Sequence, residues 1–474
     1  MTMTKRNSKN DNFIFSTIEQ LVPQDHMVRK MESCLDWRFI YPLVEDLYSD
    51  FGRPSIDPVI LFKMIIINIA FGYNSMRRTC REIEVNLAYR WFLGISMDES
   101  VPNYSTWSKN YERRYGDSQV FDQIFTVILR TAMDNGFVDL ANVFADSTHQ
   151  KADANKNKCT DAEVEIAKRI YDDELLEEIN KERKKAGKKE FSETDKIELA
   201  FDEETGKEIE VKKKRHIKES TTDPESGLFH KGEKQKCFAY SHHTVCDANG
   251  FVLLTHTTPG STHDSTAFFD YYPELMEKFG NEIKTISLDA GYKTPAVARA
   301  ILKSGTIPYM PYTRPKTKKD NFKKKDYVYD QENDCYICPG GEILKYSTTN
   351  RSGYREYKSN KSVCSECPLK DRCTKSKNNT KVITQHVWQR YVDKVDELRH
   401  TEEWKTIYPK RKETIERTFA QGKERYNLRF TRLRGLKKNQ HQATMIFGVG
   451  NLMKLAKWKA IKKEYLMEMM KARA

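Results

Sequence analysis

Two aspartates open the chemistry of this sequence. "VFADST" carries Asp146 and "ISLDAGY" carries Asp289, and each follows an apolar, β-type run and precedes a small residue. Strands disfavour a closing carboxylate unless something uses it, and in α/β sheets sites gather at strand ends. Two carboxylates brought together repel, and one pKa rises unless a cation sits between them. A hard divalent ion resolves this: Mg2+ takes one or two carboxylates and keeps positions for phosphate oxygens. A third carboxylate would complete the set. In the helix that begins "KETIERTFAQGK", Ile415, Phe419 and Tyr426 mark a buried stripe. Glu416 stands on its border, with Lys412 and Lys423 on the same helical side. Glu413, on the other side of Ile415, competes for the role. A single Asp after a strand is most often a turn or cap residue, and Asp247 in "DANG" reads as that.

A second constellation is sulfur. "CYICPGG" and "CSECPLKDRC" supply Cys335, Cys338, Cys364, Cys367 and Cys373, two Cys-x-x-Cys pairs with a fifth cysteine behind them. Thiolates so spaced suit tetrahedral Zn2+, with one cysteine to spare. No histidine pairs with them in the manner of a catalytic thiol. Cys34, Cys80, Cys159, Cys237 and Cys246 are isolated and read as structural.

The rest of the chain must position these groups. It has 474 residues, 38% hydrophobic and 31% charged, room for two to four domains with a sizeable core. The longest apolar run, residues 59–71, is interrupted by Lys63 and Asn68 and is too short for a membrane span. The charged N-terminus has no apolar segment behind it, so the expectation is a cytoplasmic protein with reduced thiols and no membrane association. The net charge is +13, and residues 401–474 alone hold 19 Lys or Arg against 7 Asp or Glu. Such a tail suggests a polyanion, most simply nucleic acid.

Residues 1–135 read as helices. Asp57 caps a helix with Pro58 at its first position, and Gly72 stops it. Ser75 restarts a helix bearing Arg77, Arg78, Arg81 and Arg90, and Ser105 caps another bearing Lys109, Arg113 and Arg114. Short capped helices with basic faces fit a helix-turn-helix-like DNA module. From 137 the pattern is strand, hairpin (238–260), helix, strand, helix, strand, an α/β fold with a mixed sheet. A charged stretch, about 156–235, interrupts it as an insertion holding one exposed helix that ends near Gly187. A second insertion, 313–400, starts with a basic run and holds the five clustered cysteines. A strongly basic helical segment follows.

At these residues the sequence resembles the DDE transposases of bacterial insertion sequences. "VFADSTHQKADANK", "TTPGSTHDS", "LDAGY" and "ETIERTFAQGKERYNLRFTRLRGL" look like the core motifs of that family in order, and "YSDFGRPSIDPVILFKMIIINIAFGYNSMRRTCREIEVNLAYRWFLG" looks like the helical N-terminal domain of one branch. The resemblance implies a ribonuclease-H-like mixed-sheet core (136–312 and 401–474), an all-α N-terminal DNA-binding domain (1–135) and a small zinc-ribbon-like insertion (313–400). It matches Asp146, Asp289 and Glu416 to the catalytic triad, holding Mg2+ (or Mn2+). It matches Cys338, Cys364, Cys367 and Cys373 to a structural Zn2+ set, which leaves Cys335 spare. One relative group carries Tyr, two residues, Arg, three residues, Glu, six residues, Lys. Tyr408 and Arg411 keep the first spacing, and Glu416 and Lys423 the last, but Arg411 lies five before Glu416 and Lys412 holds the expected place.

The implied activity is cleavage of double-stranded DNA at the element's ends by water, then attack of the freed 3′-OH on target DNA, both in-line phosphoryl transfers. The implied assembly is a homodimer on DNA, associated with the bacterial nucleoid. Lys412, Lys423, Arg429, Arg432 and Arg434 are expected to hold DNA backbone, and Arg77, Arg78 and Arg113 to contribute from the N-terminal helices. Two other readings use some of the same residues. One is a zinc-containing DNA-binding protein that has lost catalysis; three unneutralised acids beside phosphates would weaken its binding. The other, a nuclease without strand transfer, shares every residue named.

Overall fold

The computed structural model describes residues 15–165, 169, 171–192, 197–201, 208–212, 214–231, 235–313 and 320–473. The first 14 residues and part of the basic run (314–319) lie outside these. Helix α1 (Pro58–Ala70) begins as its sequence requires: Asp57 Oδ1 accepts the Val59 N–H at 2.7 Å and Pro58 fills the first position. Gly72 ends it with φ +71°, and a Cβ there would stand 2.8 Å from the Arg425 carbonyl oxygen. Lys63, the charge inside the apolar run, is buried, paired with Glu32 at 2.8 Å and laid against the Trp37 and Phe92 rings.

Helices α2 (Met76–Val85) and α3 (Leu87–Leu93) share Asn86, which ends one and caps the other. One residue is too few for the three- or four-residue turn of a helix-turn-helix, so that expectation does not describe this pair. Arg90, expected on a basic face, is buried, and its guanidinium donates to the carbonyls of Ser96, Met97 and Glu99. Helix α4 (Tyr104–Asn110) is capped by Asn103, whose Oδ1 accepts the Ser105 N–H at 2.9 Å, rather than by Ser105. Helix α5 (Val120–Asp134) follows.

The central sheet contains β1 (Asn142–Lys151), β2 (Gly227–Lys231), β3 (Gln235–Cys246), β4 (Val252–Pro259), β5 (Thr285–Ser287) and β6 (Ile307–Tyr309). Its order is β6-β5-β1-β3, with β4 and β2 both on the outer side of β3. β1, β5 and β6 are parallel; β3 runs antiparallel to β1 and β4. The expected order holds, with helices α7 (Asp264–Phe279) and α8 (Pro295–Lys303) as the crossovers. Asp247 is the turn residue expected: its carboxylate accepts the N–H groups of Asn249, Phe251 and Asp139.

The 156–235 stretch departs from expectation. Cys159–Glu165 is a strand paired with Lys214–Ser220, and helix α6 spans only Asp172–Lys185. Residues 166–168 and 170 of the expected helix lie outside the described residues. β2, at the end of the stretch, belongs to the central sheet. Nor is α6 wholly exposed. Leu175 and Ile179 pack with Ala296 and Trp388, Glu174 pairs with Arg299, and Arg183 donates to the Thr349 carbonyl at 2.9 Å. The helix therefore ties α8 to a separate five-stranded antiparallel sheet (Val328–Asp330, Cys335–Ile337, Ile343–Thr349, Tyr354–Lys358, Val382–His386) with its own small core of Tyr327, Tyr336, Leu344, Tyr357 and Ile383.

The C-terminal helices are α9 (Ile415–Arg425) and α10 (Leu436–Arg473). α10 lies along the outer face of β4. Asn451 accepts the Val252 N–H and donates to its carbonyl, both at 2.8 Å; Gln440 does the same for Thr257 N–H and Thr255 C=O at 2.6 and 3.0 Å. Three helical turns separate the two side chains, about 16 Å, which matches about five strand residues. Two side chains thus cover an edge that would otherwise present unpaired backbone. α5 packs beside α10, and its Phe121 and Ile128 join the core that holds Val143 and Phe144 of β1 and Leu452 of α10. Among the described residues no helix is long and apolar enough to cross a membrane.

Candidate active site

Asp146 is not at the end of its strand. β1 continues to Lys151 because β3 pairs with it as far as Lys151↔Ala239; what stops near Asp146 is the parallel neighbour β5, paired only through Phe144↔Ser287. The sheet therefore forks. Arg411, buried in the Tyr408–Lys412 turn just before α9, fills the fork. Its Nη1 donates to the carbonyls of Ala145 (3.0 Å) and Ser287 (3.2 Å), one from each diverging strand, and its Nη2 meets Asp146 Oδ2 at 2.7 Å. Asp289 follows β5 by two residues; its Oδ1 accepts the Gly291 N–H at 2.7 Å.

The two aspartates stand close enough for each charge to act on the other. Burial pushes the Asp146 carboxyl up to about 6, the Arg411 guanidinium opposes this, and the charges of Asp289 and Asp264 add to it. Asp264, the first residue of α7, is a neighbour that the sequence did not single out, although it lies in "STHDS". Its carboxyl is also raised, first by burial and then by Asp289, while the Ser147 hydroxyl bonds to it. His243 Nδ1 lies 3.6 Å from Asp264 Oδ1, but burial holds this imidazole down at about 3, so the contact is not an ion pair. Among the described residues, no three metal-ligating side chains converge closely enough to hold an ion as they stand; Asp146 is turned toward Arg411 instead.

Glu416 lies on the exposed first turn of α9, and Lys412 and Glu413 are exposed just before it. Tyr408 feels the charges of Asp289, Asp146 and Glu416, so it lies near all three acids. Lys423, one face further along α9, acts on the buried His242. After α9 the chain returns to β1: Lys151 N–H donates to the Arg429 carbonyl at 3.0 Å and Thr431 N–H to the Lys151 carbonyl at 2.9 Å. This sets Arg429, Arg432 and Arg434, all exposed, beside the far end of β1. Arg429 pairs with Glu424 and Arg434 meets Asp153 at 3.3 Å.

In the N-terminal helices Arg77 donates to the Tyr104 hydroxyl at 2.8 Å and Arg78 lies 3.6 Å from Glu82. Arg113 is exposed and lines an open groove of about 260 Å³ with Arg53, Lys109 and Arg114. The cysteines also sort themselves. Cys338, Cys364, Cys367 and Cys373 line one small cavity of about 50 Å³, whereas Cys335 lines a different cleft. Cys338 Sγ accepts the Glu342 N–H at 3.3 Å, and Tyr327 OH meets Cys373 Sγ at 3.1 Å.

Two family models match the chain: Transposase DDE domain over residues 337–456 and Transposase domain (DUF772) over residues 16–113. Both are models of transposase domains, and together they support a DDE transposase of an insertion element. The first match takes in the four-cysteine cavity, Arg411, Glu416 and Lys423; Asp146 and Asp289 lie outside it. No curated protein and no solved structure matches the chain.

Arg411 is the group whose loss the site should feel most. The Asp146 carboxyl is raised above its ordinary value, so the folded state keeps this proton to higher pH than the unfolded chain, and stability falls as pH climbs from about 4 to 6. Without the guanidinium the carboxyl rises further and its cost at higher pH grows. Arg411→Met should cost about 3–5 kcal/mol at pH 8 and distinctly less at pH 5. Urea unfolding at both pH values checks this; an equal loss at each would mean that Arg411 acts through the two carbonyls alone.

Proposed function

We propose that the transposase cleaves the ends of its element by metal-dependent hydrolysis and joins the 3′-OH ends to target DNA, with Asp146, Asp289 and Glu416 as its catalytic acids. The observation that carries this is the pairing of Asp146 with Asp289 at the fork of the sheet, in a chain whose family acts on DNA. The strand order β6-β5-β1-β3-β4, three parallel strands followed by an antiparallel hairpin, agrees with a ribonuclease-H-like core. The hard oxygen donors of the site fit Mg2+ or Mn2+, held by Asp146 and Asp289 with Glu416 brought in from α9. Bound there, the cation would activate the attacking oxygen and stabilise the leaving one. The chain's own part is positional: Asp289 is anchored by Gly291 N–H, and Asp146 is fixed on a buried strand.

DNA would follow the line from the fork to the end of β1. Asp146 and Lys151 are about 17 Å apart along the strand, roughly five base-pair rises. Lys412 and Lys423 flank the acid end, and Arg429, Arg432 and Arg434 the other. Arg113, with Arg53 and Lys109, offers a second cationic groove; Arg77 and Arg78 are more tied to their own helices. Two such molecules acting on paired ends would form the homodimer. The donor set of Cys338, Cys364, Cys367 and Cys373, which line one cavity, suits a structural Zn2+ once the four thiolates draw together on it, and Cys338 already has an N–H donor, a common support for thiolate ligands.

Three experiments test these parts. Asp146→Ala, Asp289→Ala and Glu416→Ala should each abolish cleavage of end DNA in Mg2+ while binding persists; normal cleavage by Glu416→Ala with loss in Glu413→Ala would reassign the third acid. Metal analysis of protein purified without chelator should find about one zinc per chain, a Cys₄ set filling four positions; no zinc with all the thiols reduced would reject that site. Finally, end binding measured across salt should show the slope of log affinity falling by about one for Lys423→Ala and about two for the Arg432→Ala/Arg434→Ala double variant, on any DNA sequence. Unchanged slopes would make this a solvated face.

A further inference from the structure

We infer that Asp264 is a further metal-binding carboxylate of this site, a role that rests on the reading of Asp146 and Asp289 as metal ligands. The geometry is carried by Gly291. A Cβ built there would stand 3.0 Å from Asp264 Oδ2 and 3.1 Å from Asp289 Oδ1, so the two carboxylates approach one another over bare backbone. Asp146 completes the group from β1, and its neighbour Ser147 bonds to Asp264.

An acid at the first turn of a helix is ordinarily explained by the helix dipole, and such an acid is solvated. Asp264 is not: its side chain is 24% exposed, Asp146 is 19% exposed, and both face another carboxylate. Burying like charges together is costly unless a cation compensates them. Here three carboxylates stand together with one guanidinium, that of Arg411, bonded to Asp146 beside them. The Tyr271 hydroxyl gives a second, independent sign. It is wholly buried, close enough to all three acids to feel their charges, and although the Tyr292 hydroxyl is within reach, the contact does not have the geometry of a hydrogen bond. A polar group left so is a place where a ligand shell would supply the missing partner.

Asp264 is also electrostatically coupled to both aspartates. Its charge acts on Asp146, whereas Glu416 is exposed. In the absence of DNA the site is therefore an Asp146–Asp264–Asp289 site, reached once Asp146 turns from Arg411. Ser147 serves as a positioning residue that aims Asp264.

The test is Mn2+ binding to the full chain without DNA, read from the electron paramagnetic resonance signal of unbound Mn2+, with circular dichroism to establish folding. Asp264→Asn should weaken binding at least about tenfold, and Ser147→Ala in the same direction by less. Folded Asp264→Asn that binds within about twofold of wild type, while Asp146→Asn and Asp289→Asn lose binding, overturns the inference and leaves the parent reading intact. If Asp264→Asn does not fold, Ser147→Ala decides, and wild-type affinity there overturns it. Wild-type binding by both Asp146→Asn and Asp289→Asn overturns the parent reading, and the inference with it.

Discussion

The site depends on a sheet that cannot stay paired. β1 has an antiparallel partner from Phe144 to its end but a parallel partner for only three residues, so the carbonyls of Ala145 and Ser287 turn into a gap between diverging strands. A buried carbonyl needs a donor. Arg411 supplies it to both strands with one nitrogen and spends the other on Asp146. A planar guanidinium can do this because its donors point in fixed directions; an ammonium could not span the same three acceptors in one plane. The fork holds the acids apart from the core, and the arginine that fills it anchors the basic C-terminal helices to the sheet.

That arrangement has an electrostatic consequence. The acids cluster where one cation, Arg411, already belongs to the protein, and carboxylates gathered so closely call for a further cation. Beyond the fork the charge reverses: the segment that returns from α9 to the end of β1 carries Arg429, Arg432 and Arg434, set there by backbone pairing with Lys151. On the proposed reading, a phosphodiester chain would find there an attractive track leading to a site that would repel it without metal.

How much of this the sequence disclosed varies with the kind of signal. Asp146 and Asp289 were visible because an apolar run ending in an acid is unusual. The end of the strand was not, because it depends on β3, a partner roughly a hundred residues away. Asp264 was hidden by its position, since an acid at a helix start has an ordinary explanation, and only the fold brings it to Gly291. Arg411 was hidden by its company: in a segment dense with Lys and Arg, residue type does not tell the buried one from the solvated ones. The hairpin and its Asp247 turn were legible because local chemistry decides them. The 156–235 stretch was misread because its density of Lys and Glu masked the alternation in Cys159–Glu165 and the apolar Leu175 and Ile179 of α6. The cysteines were sorted by spacing and likeness; in the fold Cys338, Cys364, Cys367 and Cys373 line one cavity and Cys335 a different cleft.

The central claim is that Asp146 and Asp289 share a divalent ion at the fork. Anomalous diffraction from crystals of the protein with end DNA and Mn2+ addresses it directly. The account predicts a manganese peak within bonding distance of both carboxylates, with Asp146 turned away from Arg411. An intact Arg411–Asp146 pair, with manganese bound elsewhere on the DNA or the protein, would contradict it.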